Sequence, residues 1–225
     1  MYKHIFFDLD DTLLDFGWAE HIGLCKAFSD LGICTDEALL SRFREINTQQ
    51  WESFERGETT REILLVRRFA LLFEELGFPH DPALCENAYR EYLGQGHCFV
   101  DGAQALLEYL RPKYALYLAS NGIARVQRSR LASAGIAPYF KNIFISEETG
   151  FHKPQRAFFD YCFARIPDFS QENALIIGDS LTSDILGGNT AGIDTCWFNP
   201  HAKPARPDIV PTIEIRSLRE LNTIL

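Results

Sequence analysis

Four short stretches of this chain carry side chains that could do chemistry together. They are Asp8, Asp10 and Asp11 in HIFFDLDDTLLDF, Ser120-Asn121-Gly122, Lys153 in FHKP, and Gly178-Asp179-Ser180 with Asp184. The first is the most demanding. Ile5, Phe6 and Phe7 read as a buried strand, and carboxylates follow at once. Neighbouring carboxylates in a dry place disfavour one another's charged forms, so they need a positive counterpart. A divalent cation makes such a cluster tolerable. Mg²⁺ takes oxygen ligands, keeps several waters, and binds through a few carboxylates plus substrate phosphate. Carboxylates, a hydroxyl and a lysine brought to one place would therefore suit Mg²⁺ and a phosphoryl group. In extended geometry, residues two apart share a face. Asp8 and Asp10 are then expected to point into one site, and Asp11 elsewhere, into local hydrogen bonds.

Each stretch also has a structural reading. An acidic cluster can be an exposed turn, and Ser, Asn and Gly all favour turns. A lone lysine is ordinarily a surface residue, and Asp179 or Ser180 could simply cap a helix. The elements around them favour the chemical reading. From Asp101 onward, helices alternate with apolar strands: a helix from Gly102 to Leu110, the strand YALYLAS, a helix from Ala124 to Ala134, then NIFIS. A helix from Gln155 to Arg165, the strand ALIIGD, a short helix after Ser183, and the strands DTCWFN and TIEI complete the series. Such alternation predicts an α/β fold, a Rossmann-like parallel sheet covered on both faces, with His4 to Leu9 as its first strand. Ligand sites in open parallel sheets lie at the carboxyl ends of strands, where the strand order reverses. The candidate stretches fall at those ends, or, for Lys153, just before a helix.

Between the first strand and this series the period changes to that of a helix. Trp18, Ile22, Cys25, Phe28 and Leu31 form one stripe, and Leu39, Phe43, Ile46, Gln50 and Phe54 a second. Ile63, Val66, Phe69, Phe73 and Leu76 form a third, and Leu84, Ala88 and Tyr92 a fourth. Thr59-Thr60-Arg61-Glu62 reads as a capping box, Asp81-Pro82 as a helix start, and Gly32, Gly57 and Gly77 as helix ends. Residues 17–97 are thus expected to form an inserted four-helix domain, with 1–16 and 98–225 as the α/β core.

Composition narrows the classes. The chain has 225 residues, 46% of them hydrophobic and 13% aromatic, which is enough for a packed core. Its 22 basic and 31 acidic residues leave a net charge of −9, which disfavours a nucleic acid polymer or an anionic membrane as partner. With no membrane-spanning run and no signal-peptide pattern at Met1, a cytoplasmic protein is expected. The six cysteines and six histidines are scattered, which argues against a disulfide framework, a structural zinc site or a catalytic histidine. Cysteines so spaced are expected to be small buried side chains.

The ordered stretches DLDDT, SNG, Lys153 and GDSLTSD resemble the signature motifs of the haloacid dehalogenase-like (HAD) superfamily, specifically its phosphatases with a helical cap inserted after the first strand. ISEETGFHKPQRAFFDY and SDILGGNTAGIDTCWFN resemble its pyrimidine-preferring 5′-nucleotidases. The resemblance implies a Mg²⁺-dependent phosphomonoesterase acting through an aspartyl-phosphate, as a monomer or homodimer, on a small phosphate ester such as a nucleoside monophosphate. It makes Asp8 the nucleophile and a metal ligand, Asp10 the general acid/base with a carbonyl on the metal, and Asp179 a further ligand. Lys153 pairs with the nucleophile and phosphate, Ser120, Asn121 and Gly122 hold phosphate oxygens, and Asp184 orients metal-bound water or Lys153. Trp51 and Phe54, three apart on one helix, have two readings: a stacking surface for a base, or, as periodicity favours, packing between the cap helices. The cap opens about hinges near residues 15–17 and 94–100. Competing readings are a sugar-phosphate or other small-metabolite phosphatase, a phosphomutase, a haloacid dehalogenase, and a binding module without catalysis. Dehalogenases lack the second carboxylate that Asp10 supplies. A phosphonate hydrolase would carry a cap lysine, and none lies between Lys26 and Lys113. A silent module would be expected to have lost a motif residue.

Overall fold

Six parallel strands make one sheet in the order β3-β2-β1-β4-β5-β6: β1 (His4–Phe7), β2 (Ala115–Ser120), β3 (Asn142–Ile145), β4 (Ala174–Gly178), β5 (Asp194–Phe198) and β6 (Ile213–Ile215). They belong to a computed structural model that describes residues 1–225. The chain divides into two compact units, Met1–Phe16 with His97–Leu225, and Gly17–Gly96. No helix is long and apolar enough to cross a membrane.

In the first unit the strands are short apolar runs buried on both faces. Ile5 and Phe7 pack on one side with Leu118, Ile177 and the helix Ala103–Leu110. Phe6 points to the other, stacked on Tyr117 at 5.0 Å and packed with Phe158 and Phe159 of the helix Arg156–Phe163. Full burial of each such side chain is worth about 1.5–3 kcal/mol. Phe7 lies opposite both Leu118 of β2 and Ile177 of β4, so three central strands end at one level. After β1 the chain builds β2 and β3 on one side, then crosses to build β4, β5 and β6 on the other. The order reverses beside β1, where open parallel sheets place their sites. Strand β1 stops at Phe7 rather than Leu9, because Asp11 adopts a left-handed backbone (φ 56°) and turns the chain.

The second unit carries α1 (Phe16–Asp30, which begins at the junction), α2 (Glu37–Glu55), α3 (Arg61–Leu76) and α4 (Pro82–Leu93). Asp36, Thr60 and Asp81 cap α2, α3 and α4 through their side chains, and Gly77 ends α3 in the left-handed region. The cap of α3 is therefore Thr60, not Thr59. Two faces differ from the apolar stripes by about one residue. Helix α1 buries Ala19, Glu20, Gly23, Leu24, Ala27 and Phe28, while Trp18 is 40% exposed. Helix α4 buries Cys85, Glu86, Tyr89 and Leu93, and leaves Leu84 exposed. In α3, Ile63 and Leu76 are likewise exposed while Arg68 is buried.

The reason is a polar chain through the unit. Asn47 donates to Glu20 (2.9 Å), and Arg68 donates to Asn47 (2.9 Å) and Glu86 (2.7 Å), with one residue drawn from each helix. Burying that chain turns α1 and α4 away from their most apolar stripe. The six cysteines are all free, with Cys85, Cys162 and Cys196 buried and Cys34 exposed. Burial is thus not common to all of them, since Cys34 lies on the α1–α2 connection.

Candidate active site

Asp8 stands where β1 stops. Its N–H still donates to the Ile177 carbonyl (2.9 Å), so the sheet holds its backbone while its carboxylate passes the strand end. Oδ1 accepts from Lys153 Nζ at 2.7 Å. Lys153 is 1% exposed, and its ammonium also donates to Asp184 Oδ1 (2.6 Å) and the Ala119 carbonyl (2.6 Å), which uses all three of its donors. Burial alone would lower the Lys153 pKa, but Asp184 and Asp8 outweigh it and raise it, so the ammonium stays charged. Burial pushes the Asp8 carboxyl well up; Lys153 opposes this, while Asp184, Asp10 and Asp179 add to it.

The Lys153 main chain is clasped by Asn121, whose Oδ1 accepts from Lys153 N–H (2.9 Å) and whose Nδ2 donates to the Lys153 carbonyl (2.8 Å) and to Ser183 Oγ (3.2 Å). In this arrangement the Asn121 amide is engaged in placing Lys153, a use its residue type did not disclose. Asp184 accepts from Ser180 N–H (3.1 Å) and lies over Gly178, where an added Cβ would sit 2.7 Å from Asp184 Cβ and on its carboxylate. The glycine before Asp179 is there for that close approach. Asp179 is held by Trp197, whose indole N–H donates to its carbonyl (2.9 Å), and its carboxylate meets Lys203 Nζ at 3.3 Å. Burial pushes the Asp179 carboxyl up to about 7; Lys203 pulls against this, and Asp184 and Asp11 add to it.

Carboxylate oxygens of Asp8, Asp179 and Asp184 lie within 4.8 Å of one another. Three acidic groups, with Lys153 between Asp8 and Asp184 and Lys203 beside Asp179, make an all-oxygen donor set, which fits a hard divalent cation. The Asp10 carboxylate is not in that set. It pairs instead with Arg130 Nη1 and accepts from Gln127 Nε2 (2.5 Å), the same nitrogen that donates to Ser120. Asp11 makes the local bonds expected of it, accepting from Phe16 N–H (2.9 Å).

Ser120, 1% exposed, accepts from Gly122 N–H (3.1 Å) and Gln127 Nε2 (2.8 Å). With both lone pairs used, its O–H is what it can offer a phosphate oxygen. Gly122 has room for no side chain, since a Cβ would meet Gln127 Cδ at 2.6 Å. Trp51 is half-buried on α2 with its ring edge-on to Phe54 (5.7 Å). Phe54 is buried and has the Arg61 guanidinium over its ring at 5.0 Å, so it presents no open stacking face.

A family model for the haloacid dehalogenase-like hydrolases matches residues 2–192. The chain belongs to the haloacid dehalogenase-like hydrolases. It is therefore an enzyme, and its parallel sheet with flanking helices is the fold of that family. Among relatives, it is 47% identical to the HAD-hydrolase YfnB of Bacillus subtilis over 224 residues, covering 100% of this chain and 95% of YfnB. The crystal structure of YfnB, described as bound to magnesium and revealing interdomain movement, superposes with a TM-score of 0.96 and covers 100% of this chain and 98% of that one. Identity is 39% to the pyrimidine 5′-nucleotidase PynA of Streptococcus pneumoniae (98% of this chain, 93% of PynA). It is 32% to the pyrimidine 5′-nucleotidase YjjG of Escherichia coli (98% of this chain, 96% of YjjG).

In this haloacid dehalogenase-like hydrolase, two site neighbours carried no motif signal, Gln127 and Arg130 of the helix Ala124–Ala134. A fainter signal existed. With Ile123 and Leu131 they occupy one helical face, at steps of four, three and one, so two long polar residues interrupt a stripe that should be apolar.

Proposed function

We propose that the protein is a Mg²⁺-dependent phosphomonoesterase that works through an aspartyl-phosphate on Asp8, and that its substrates are nucleoside 5′-monophosphates, pyrimidine ones ahead of purine ones. The observation that carries the chemistry is the fully buried Lys153 ammonium bonded to both Asp8 and Asp184, beside a Ser120 hydroxyl whose acceptor capacity is already filled. A carboxylate, a fixed cation and a directed O–H donor are what an anionic phosphoryl group needs in order to be attacked. The substrate class rests on likeness to PynA and YjjG, both named pyrimidine 5′-nucleotidases.

In the first step an Asp8 oxygen attacks phosphorus, the ester P–O bond breaks, and Asp10 gives its proton to the leaving alkoxide. In the second, water gives a proton to Asp10 and attacks the same phosphorus, and the P–O bond to Asp8 breaks to release phosphate. Ser120 donates to a phosphoryl oxygen through both displacements, and the Lys153 ammonium, its donors placed on Asp8, Asp184 and the Ala119 carbonyl, contributes positive charge beside it. Asp8, Asp179 and the Asp10 carbonyl would hold Mg²⁺, with Asp184 beside them, and the bound ion would supply positive charge next to the phosphoryl oxygens. Uncatalysed monoester hydrolysis is slow enough that the site must lower the barrier by on the order of 20 kcal/mol or more. The helical unit is assigned the part of a cap that selects the rest of the substrate.

The test compares kcat/KM for dUMP, dTMP, dAMP and a hexose phosphate in Mg²⁺ buffer. The expected order places dUMP and dTMP first. A hexose phosphate turned over as well as dUMP would remove the nucleotidase assignment and favour a sugar-phosphate phosphatase. The series is repeated with Trp51→Ala. Loss of stability without a change in ranking would return that side chain to packing.

A further inference from the structure

Arg130 is an expensive residue to bury where it is. It is wholly inaccessible, and beyond the Phe16 ring 5.9 Å away only Nη1 finds hydrogen-bonding partners, in Asp10 and Gln127 Oε1 (3.3 Å); Nε and Nη2 are buried with no hydrogen-bond partner. A guanidinium buried for stability alone would be expected to fill its donors from nearby carbonyls. Gln127, also 1% exposed, spends one amide nitrogen on two groups of the site, Asp10 Oδ2 and Ser120 Oγ. A third observation is independent of both: Gly122, in the strand-to-helix turn, lacks the Cβ that would strike the Gln127 side chain. The turn is built around that glutamine. Both oxygens of Asp10 are therefore held from one helix face, three residues apart, and the same face touches the hydroxyl assigned to the phosphate.

We propose that Arg130 and Gln127 are positioning residues that set the Asp10 carboxyl for proton transfer with the leaving oxygen, and that Gln127 ties this placement to the phosphate-holding Ser120. The inference rests on the acid/base role assigned to Asp10 above. A carboxyl just before a turn, beyond the end of its strand, can rotate among its side-chain rotamers. An acid that must meet an oxygen within hydrogen-bond reach loses on the order of 100-fold in rate when displaced by about an ångström. The bracket removes that freedom.

The experiment measures kcat and KM of wild type, Asp10→Asn, Arg130→Met and Asp10→Asn/Arg130→Met on dUMP and on p-nitrophenyl phosphate. The second leaving group departs as a stable anion and hardly needs a proton. Arg130→Met is expected to lower kcat/KM on dUMP by about 10- to 100-fold while changing kcat/KM on the aryl ester by less than about threefold. The ratio kcat/KM covers formation of the aspartyl-phosphate and not the second step, in which Asp10 takes a proton from water with either ester. In the double variant it is expected to add little to the loss from Asp10→Asn. If Arg130→Met does not fold, Gln127→Leu is read the same way, by a fall of about tenfold or more in the ratio of dUMP to aryl-ester kcat/KM. Equal losses of kcat/KM on both esters, no loss, or losses that multiply with Asp10→Asn overturn the proposal while the acid/base reading stands. An Asp10→Asn enzyme equally impaired in kcat/KM on both esters overturns that reading, and the bracket with it.

Discussion

At the scale of single residues, the site is a problem in keeping charges where water would not leave them. Asp8 and Asp179 are both pushed up by burial, Lys153 is held charged by two carboxylates, and its main chain is fixed by Asn121. Asp8→Asn should leave the fold intact, since Lys153 keeps Asp184 and the Ala119 carbonyl. It should also reduce kcat below about a hundredth of wild type, because an amide is no nucleophile; a higher residual rate excludes the covalent role. Asp179 gives a prediction on pH. Its folded pKa of about 7 lies above the ordinary 3.8, so between those values the folded chain holds a proton that the unfolded chain has released. Stability of the metal-free protein therefore falls as pH rises from about 4 to 7, and the penalty is complete above 7. Asp179→Asn should stabilise the metal-free protein at pH 8 by a few kcal/mol (on the order of 1.4 per pKa unit) and by almost nothing near pH 4. Urea unfolding at the two values checks it, and an equal gain at both would show that the carboxyl titrates normally.

At the scale of elements, the helical unit spends its interior on a polar chain that its stripes do not announce. Arg68 is 2% exposed, bonded to Glu86, Asn47 and the Leu65 carbonyl, and lies 5.0 Å from the Tyr89 ring centroid and 5.5 Å from that of Phe69. Burial raises the Glu86 carboxyl, and Arg68 is the main force against that rise. Removing one partner strands the other. Arg68→Met should destabilise the unit by about 3–5 kcal/mol, while Arg68→Met/Glu86→Met should recover much of the loss. Denaturant melts in a Trp197→Phe background, followed by the fluorescence of Trp18 and Trp51, report on this unit. A double variant no better than the single one would mean that Glu86 carries no buried charge.

At the scale of the molecule, a chain of net charge −9 is asked to bind an anion. Long-range attraction opposes the encounter, so the attraction must be local. Lys153 and Ser120 supply part of it, and the three-carboxylate cluster calls for a cation that adds the rest. A chelator should abolish turnover, and Mg²⁺ added back should restore it. At pH 8 and Mg²⁺ near 100 times its Kd, the gain is about 2.7 kcal/mol, or a rise of roughly 5–10 °C in the melting of the α/β unit. Asp179→Asn should lose that rise. Full activity in metal-free protein would sink the metal assignment.

The sequence alone determined the order of elements, and most of their limits, because these depend on neighbours along the chain. The helix Ala124–Ala134 and the sheet strands follow from local periodicity, and Asp8, Ser120 and Asp179 follow from standing where apolar runs stop. Asp11's local bond to Phe16 was legible for the same reason. What only the tertiary structure decided is which polar side chain meets which. Arg68 finds Glu86 across 18 residues, Asn121 finds Lys153 across 32, and Asp10 finds Arg130 across 120. Periodicity ranks residues by how they partition from water, so it put α1 and α4 about one residue out of phase and passed over Gln127 and Arg130. A buried charge is favourable only beside its counterpart, and the fold alone brings the two together.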